Sequence, residues 1–414
     1  MGAADLDLVV VGAGAAGLAA AKTAIGFGLR VRVLEAKRRI GGRVWTDVES
    51  LGVPWERGAN WLHNARDNAF KHYADAHGFG CETRRARSRL WRHGWADPDL
   101  EDALDAFEAA AFQAIEEAGA AGRDVAAGEV IPDDPRFRRA FDAWFAALNG
   151  VEPDRMSTLD YARADDSGGN LRLEAGYGRL LEHFAQGLPV SLGVSVERIR
   201  WGAAPAIVET VDGAVSAAAV IVTLSTNVLA SERITFDPPL PADKQAAIEA
   251  VPTGEANKVA LAFEGNPFGF DEPFFLDFKG DDLPFVVFEI RPFGRDLAIA
   301  HFGGRLAAEL EAAGSATMID LATEALIQSF GSELRRHLRA AASTAWCGDP
   351  EIRGGYSCAR PGLAHLRPKL AEPLARRLFF AGEACSIRHY GTAHGAHDTG
   401  VAAAEAVARV LQAS

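Results

Sequence analysis

A run near the start of the chain, Gly-Ala-Gly-Ala-Ala-Gly, has the G-x-G-x-x-G spacing with which proteins hold the pyrophosphate of a dinucleotide. Gly12 permits a tight turn from a strand into a helix, and Gly14 lets the backbone approach a phosphate because it has no Cβ. Gly17 allows the helix and the strand to pack closely. The run therefore predicts a dinucleotide site at a helix N-terminus, although on its own it is also compatible with a simple turn.

The acid Glu35 supports the dinucleotide interpretation. It lies at the end of the next apolar strand, roughly 20 residues beyond the glycines, where a carboxylate accepts hydrogen bonds from ribose hydroxyls. Its charge would repel a 2′-phosphate, so a dinucleotide without that group is favoured.

A second pair of glycines, Gly41 and Gly42, follows Glu35 and precedes Arg43. The backbone N–H groups of such a pair can bind phosphate oxygens, and Arg43 would add a fixed positive charge beside the same pyrophosphate. The alternative is a solvated basic loop.

These residues need a strand-helix-strand unit to position them, and the sequence predicts one. Residues 6–11 read as a parallel strand buried on both faces, residues 15–27 as a helix and residues 29–35 as the next strand. Further elements follow from periodicity and turn residues. They are helices at 100–117, 132–148, 307–330 and 399–412, and strands at 191–201, 206–211, 215–222, 259–263, 285–290, 297–302 and 378–380.

Composition limits the partners. Fifty-six acidic against 43 basic residues give a formal net charge of −13, which argues against nucleic acid and mildly favours a cationic ligand, although solubility alone can explain it. The four cysteines are widely spaced and read as reduced thiols without a metal site. No signal peptide or membrane span is expected, so a cytoplasmic location is predicted.

Several blocks of the sequence resemble the flavin-containing amine oxidases, in the order that this family has them. The blocks are residues 35–46, 58–63, 257–259, 346–356, 380–384 and 394–396. The resemblance implies an α/β fold with a Rossmann-like FAD-binding domain, of the kind that has two dinucleotide-binding motifs, and a second mixed domain of sheet and helices for the substrate. The FAD-binding domain is predicted to be discontinuous, at about 1–75, 176–250 and 351–414. The substrate domain would occupy about 76–175 and 251–350.

The resemblance also implies which residues do the work. Lys258 would hold a water against flavin N5, Tyr356 would form one wall beside the flavin, and His63 and Thr392 would face the cavity. The residues expected to bind FAD are Gly12, Gly14, Ala15, Ala16, Gly17, Glu35, Ala36, Arg38, Gly41, Gly42, Arg43, Gly58, Ala59, Asn60, Trp61, Val196, Trp346, Gly382, Glu383, Ala393 and Ala396. Without the resemblance, Lys258 and His63 would read as surface residues and Val196 as core.

Within the family, residues 61–78 and 392–396 look most like polyamine oxidases. Monoamine oxidases have a tyrosine in place of Thr392, and a cysteine that binds flavin covalently in place of Gly355, so non-covalent FAD is expected. The implied reaction is oxidation of a primary or secondary amine by hydride transfer to flavin N5. The imine is then hydrolysed, and O2 reoxidises the flavin to give H2O2.

Two questions stay open at this point. The groups that would bind a distal ammonium are not evident; the candidates are Glu255 and the acidic cluster Asp97, Asp99, Glu101 and Asp102. Two other functions also fit parts of the pattern: an FAD-dependent desaturase or isomerase of an apolar substrate, and a flavin-binding interaction protein without turnover. The oligomeric state is not predicted.

Overall fold

The computed structural model describes residues 4–82, 87–165, 168–280 and 282–413. The strands, in chain order, are β1 (Leu6–Val11), β2 (Val31–Glu35), β3 (Thr46–Asp47), β4 (Trp55–Glu56), β5 (Trp61–Leu62), β6 (Cys81–Glu82), β7 (Arg87–Trp91), β8 (Leu171–Leu173), β9 (Val190–Leu192), β10 (Val196–Arg200), β11 (Ala206–Thr210), β12 (Gly213–Val222), β13 (Thr235–Asp237), β14 (Ala256–Phe263), β15 (Phe274–Phe278), β16 (Val286–Ile290), β17 (Leu297–Gly303), β18 (Leu338–Ser343) and β19 (Leu378–Phe380).

The chain also forms α-helices between these strands and after the last one. They are α1 (Ala15–Gly26), α2 (Ala69–Ala76), α3 (Pro98–Ala120), α4 (Arg138–Asn149), α5 (Thr158–Arg163), α6 (Tyr177–Phe184), α7 (Thr226–Ala230), α8 (Ala242–Ala250), α9 (Gly304–Ala313), α10 (Ser315–Phe330), α11 (Leu334–His337) and α12 (Ala393–Gln412). In the part of the chain that the structure describes, none of them is long and apolar enough to cross a membrane.

The first large sheet carries the predicted strand-helix-strand unit. Its order is β13-β10-β11-β12-β1-β2-β9, and β19 pairs with β12 beside β11. Strands β19, β12, β1, β2 and β9 are parallel. Leu8, Val9 and Val10 of β1 are completely buried, as expected of a central strand covered on both faces.

Helix α12 returns the end of the chain to the glycine turn by packing on α1. The contact is close because small residues form it: a Cβ added at Gly400 would lie 2.2 Å from the carbonyl oxygen of Ala16. Ala403, Ala404 and Val407 belong to the same buried core as the alanines of α1. This packing places the N-terminus of α12 next to the N-terminus of α1.

The second large sheet, β18-β14-β17-β16-β15-β7, is antiparallel except between β15 and β7. Helices α9 and α10 cover one face, where they share an apolar core with the sheet. On the other side, α3 and α4 form a separate aromatic core with Leu90 of β7.

Most predicted elements have somewhat different bounds in the structure, and the helix predicted at 132–148 begins only at Arg138. Three of the differences have a visible cause. The strand predicted at 191–201 is two strands, because Gly193 adopts φ 74° between them. The helix predicted at 307–330 is likewise divided, into α9 and α10, at Gly314 with φ 98°. Helix α12 begins earlier than predicted, because the Thr392 side chain accepts a hydrogen bond from the Gly395 N–H and caps it.

Candidate functional site

A cavity of about 630 Å³ is lined by residues of both large sheets and of α4 and α12. Its lining includes the four predicted catalytic residues, His63, Lys258, Tyr356 and Thr392. The predicted cofactor residues that line it are Gly12, Gly14, Ala15, Ala16, Glu35, Ala36, Gly41, Gly42, Arg43, Gly58, Ala59, Asn60, Trp61, Val196, Trp346, Gly382, Glu383, Ala393 and Ala396.

Two predicted cofactor residues lie outside this lining. A Cβ added at Gly17 would lie 1.9 Å from the Gly12 carbonyl oxygen, so Gly17 serves the packing of helix on strand. Arg38 is exposed at the surface. Neither residue is therefore placed to touch a ligand in the cavity through its side chain.

The glycine turn has the properties of a phosphate cradle. Gly14 is the N-cap of α1 and supplies no side-chain cap, so the first N–H groups of the helix are left for another acceptor. A Cβ added at Gly14 would meet no heavy atom within 4 Å. Gly41 bridges to Gly14 and donates its N–H to the Ala13 carbonyl, which brings the second glycine pair to the same place. This arrangement fits a pyrophosphate.

Glu35 is fixed at the adjoining end of the cavity. Its carboxylate is 7% exposed and accepts hydrogen bonds from the N–H groups of Ala13 (2.7 Å) and Lys37 (2.8 Å). Burial raises the pKa of Glu35, against the effect of these bonds. The oriented carboxylate, with Val196 nearby in the lining, suits the ribose and adenine of a dinucleotide.

Arg43 and Glu383 form an ion pair in the cavity wall. Arg43 Nη1 lies 2.8 Å from Glu383 Oε1 and also donates to the Gly355 carbonyl. Glu383 further accepts hydrogen bonds from the Ser357 hydroxyl (2.7 Å) and the Gly391 N–H (2.8 Å). Burial opposes ionisation, but the charge of Arg43 and these donors hold the pKa of Glu383 below its usual value. The positive charge of Arg43, which was predicted to lie beside the pyrophosphate, is thus balanced by the carboxylate of Glu383.

Behind this pair lies a buried ion pair that the sequence did not reveal. Arg367 and Asp160 are both completely buried and are joined by two hydrogen bonds, of 2.7 and 2.5 Å. Arg367 Nη1 also donates to the Ser357 hydroxyl at 2.9 Å. The chain of contacts from Asp160 through Arg367 and Ser357 ends at Glu383.

Lys258 projects into the opposite part of the cavity from β14. Its Nζ donates to the carbonyl oxygens of Gly58 (2.8 Å) and Glu56 (3.2 Å). Burial lowers the pKa of Lys258, because desolvation disfavours the charged form more than the nearby acids Glu289 and Glu56 favour it. An ammonium has three N–H donors, so one remains beyond these two carbonyls.

Glu289 and His301, next to Lys258, were also missed. Glu289 accepts hydrogen bonds from Asn60 (2.9 Å) and Arg172 (2.5 Å), and His301 Nε2 lies 2.9 Å from it. Burial acts to raise the pKa of Glu289, but His301, Arg172 and Lys258 together lower it to about 2. Burial lowers the pKa of His301. The available signal was a charged residue inside each of two apolar strands, Phe-Glu-Ile and Ala-His-Phe.

The remaining catalytic candidates surround the cavity beside α12. The Tyr356 hydroxyl donates to the Leu148 carbonyl at 2.7 Å, which holds the ring in the wall. The Thr392 hydroxyl donates to the His389 carbonyl and accepts a hydrogen bond from the Gly395 N–H, which caps α12. Because both bonds are made within the protein, Thr392 contributes to the cavity wall by packing. His63 Nδ1 lies 3.1 Å from Asn170 Oδ1. Trp144, Leu148, Phe275 and Val287 complete an apolar section of the lining.

The sequence of this chain is similar to those of known proteins. The family model described as flavin containing amine oxidoreductase matches residues 15–94 and 84–408. Polyamine oxidase 1 of Oryza sativa subsp. japonica is 30% identical, over 98% of this chain and 97% of that protein. Lysine-specific histone demethylase 1 homolog 2 of Arabidopsis thaliana is 28% identical over 98% of this chain, but this chain spans only 58% of that protein.

A solved structure shows the same fold. Cyclohexylamine oxidase from Brevibacterium oxydans IH-35A superposes with a TM-score of 0.81, covering 99% of this chain and 100% of that one, at 21% identity. The predicted α/β fold with a second mixed sheet-and-helix part is confirmed. The exact domain bounds given above stay a prediction.

Proposed function

The chain belongs to the flavin-containing amine oxidoreductase family, and on this premise we propose that it oxidises a primary or secondary amine of the polyamine class. The observation that carries the proposal is the position of Lys258. It lies in the same cavity as the dinucleotide cradle, together with Tyr356 and an apolar lining. A cytoplasmic location and O2 as the electron acceptor are parts of the same proposal.

The family implies FAD, and the residues of the cavity fit it. The cradle at Gly14 and Gly41 would hold the pyrophosphate, Glu35 the ribose, and the segment around Glu383 the flavin side. When bound, FAD supplies the acceptor for the hydride that leaves the α-carbon of the amine.

The protein's own groups prepare the amine for this reaction. The apolar section of the lining excludes water and favours an uncharged amine over an ammonium ion. Tyr356, held by its bond to Leu148, fixes one side of the space in which the amine lies. The remaining N–H of Lys258 can bind a water or dioxygen and polarise it, since a preorganised donor in a dry site is effective.

Non-covalent attachment of FAD is part of this proposal. Gly355 has no side chain to form a bond to flavin, and a Cβ there would lie 2.8 Å from the Ala256 Cβ. We therefore expect precipitation with trichloroacetic acid to release all the flavin into the supernatant, where its absorbance is measured. Yellow colour that stays with the washed precipitate would contradict non-covalent binding.

Gly14→Ala and Gly17→Ala should affect different properties: the first should weaken FAD binding, and the second should lower the stability of the fold. At Gly14 the added methyl enters open space in the cradle, so the apoprotein should keep its stability within about 1 kcal/mol while FAD binds at least about tenfold more weakly. At Gly17 the methyl collides with the Gly12 carbonyl, so the fold should lose about 1–3 kcal/mol or more. Urea unfolding of the apoprotein and FAD titration measure the two effects. Equal stability losses in both variants would refute this division of roles.

The proposed activity is tested with a panel of amines. FAD-loaded protein is mixed without oxygen with spermine, spermidine, acetylspermine and hexylamine, and flavin absorbance is followed. At least one amine should bleach the flavin and form peroxide in air, whereas hexyltrimethylammonium, which cannot form an imine, should do neither. Absence of bleaching with every amine would overturn the proposed function.

A further inference from the structure

We propose that Asp277 of β15 and Glu108 of α3 form a subsite for a second, distal ammonium group of the substrate. The inference rests on the proposed amine oxidation and adds to it a class of substrate, an elongated polyamine. It replaces the sequence-based candidates for this role.

The position of Asp277 follows from the register of the second sheet. Lys258 pairs with His301, His301 with Val287, and Val287 with Asp277, so these four residues form a row across adjacent strands. Side chains paired in this way lie on one face of a sheet. Three strand spacings of about 4.8 Å put Asp277 roughly 14 Å from Lys258 along the row.

Two neighbours of Asp277 line the cavity. Val287, directly opposite it, lines the cavity, and so does Phe275, which lies two residues earlier on the same face of β15. The Asp277 side chain is only 8% exposed, and its Oδ1 is buried without a hydrogen-bond partner among the described residues. A buried carboxylate oxygen without a donor is costly, and an ammonium N–H would supply the donor.

Glu108 approaches from the helical side. It belongs to a stripe of α3 made by Glu101, Asp105, Glu108 and Phe112, whose spacing of four, three and four residues puts them on one face. Phe112 at the end of the stripe lies 5.4 Å, between ring centroids, from Trp144 of the cavity lining. The stripe therefore faces the region in which Asp277 lies.

The charge of Asp277 acts on Glu108, and Asp105 acts on both carboxyl groups. Burial and the charges of Asp105 and Glu101 raise the pKa of Asp277 to about 7. Burial and the charges of Asp277 and Asp105 raise the pKa of Glu108 to about 8. At pH 7 such carboxyls are at least partly protonated, and they would lose protons when a cation binds, because the cation stabilises the ionised forms.

Two other acids near the cavity already have arginine partners. Glu289 pairs with Arg172, and Glu255, one of the candidates from the sequence, pairs with Arg155 at 2.9 Å. Their charges are balanced within the protein. Of the acidic cluster predicted from the sequence, Asp97 caps α3 and Glu101 accepts a hydrogen bond from the Leu90 N–H.

The distance favours a long substrate. With five bonds of about 1.5 Å each between its nitrogens, a four-carbon diamine spans at most about 7.5 Å, roughly half of the separation of about 14 Å between Lys258 and Asp277 along the row. A triamine or tetramine can place its reacting carbon at the flavin end of the cavity and an ammonium between Asp277 and Glu108.

The test compares the binding of spermine and hexylamine by calorimetry. The holoprotein is first reduced with dithionite without oxygen, so that no turnover occurs. In Asp277→Asn and Glu108→Gln, spermine should bind at least about tenfold more weakly and release fewer protons at pH 7, while hexylamine binding is unchanged. Glu116→Gln, an exposed position of the same helix, should leave both affinities unchanged.

A spermine-to-hexylamine affinity ratio within twofold of the wild-type value in both variants would overturn the subsite. So would an equal loss for both ligands. This failure is distinct from failure of the proposed function: an enzyme that oxidises hexylamine and shows no such effect keeps its function and loses the subsite. If no amine bleaches the flavin, the function itself is lost.

Discussion

Replacement of Lys258 by Met should lower turnover by about 10²–10³-fold while FAD stays bound. Loss of one preorganised donor from a dry active site has an effect of this size. Methionine is an unbranched side chain one atom shorter than lysine, and it removes every N–H, including the one beyond the bonds to Gly58 and Glu56.

Stopped-flow absorbance separates the two halves of the reaction. If Lys258 polarises a water or dioxygen, flavin reoxidation by O2 should slow more than anaerobic flavin reduction by the amine. The matched control is Lys22→Met: Lys22 also donates to one backbone carbonyl, that of Phe184, but is exposed and lies outside the cavity. Reoxidation and turnover within threefold of wild type in Lys258→Met would contradict a direct role.

The parts of the site that were predictable are those with local spacing. Gly12, Gly14 and Glu35 belong to one strand-helix-strand unit of about 25 residues, and the role of each could be predicted from the backbone geometry of that unit. The early start of α12 was missed, because Thr392 acts there as a cap, and periodicity does not register a cap.

The parts that were missed depend on contacts between distant segments. Glu289 and His301 meet only through the register of β16 and β17, and a charged residue within an apolar strand was their sole trace. Glu255 was a candidate for binding a distal ammonium, but it pairs with Arg155, which lies 100 positions earlier in the chain. An acid can bind a cationic ligand only if no basic residue of the protein already pairs with it. Such pairs form between distant segments of the chain, so the local sequence does not reveal them.

Arg367→Met is the second change with a large expected effect, and it acts on stability. Arg367 and Asp160 are separated by 207 positions, and both are completely buried. Removal of one partner from a buried ion pair costs about 3–5 kcal/mol in free energy of unfolding, because the other charge stays buried without its counterion. Of the hydrogen bonds that the structure gives to the Asp160 carboxylate, only that from the Ala359 N–H would remain.

A surface pair provides the control. Arg388 lies 2.5 Å from Asp165, the same distance as between Arg367 and Asp160, but its side chain is 71% exposed. Arg388→Met should therefore cost about 1 kcal/mol or less. Urea unfolding of the wild-type, Arg367→Met and Arg388→Met apoproteins, followed by tryptophan fluorescence, measures the free energy of unfolding of each. Equal losses of stability in both variants would contradict the argument from burial.

The same variant should also weaken FAD binding, and this separates positioning from stability. Arg367 donates to the Ser357 hydroxyl, which donates to Glu383, the partner of Arg43 in the cavity wall. Without Arg367, Ser357 loses the bond that orients it, and Glu383 loses a fixed donor. We expect FAD affinity, titrated at a temperature where the variant is folded, to fall about tenfold in Arg367→Met and to stay unchanged in Arg388→Met. If Arg367→Met lowers the stability but leaves the FAD affinity unchanged, Arg367 only stabilises the fold. The contacts from Arg367 through Ser357 to Glu383 would then have no effect on FAD binding.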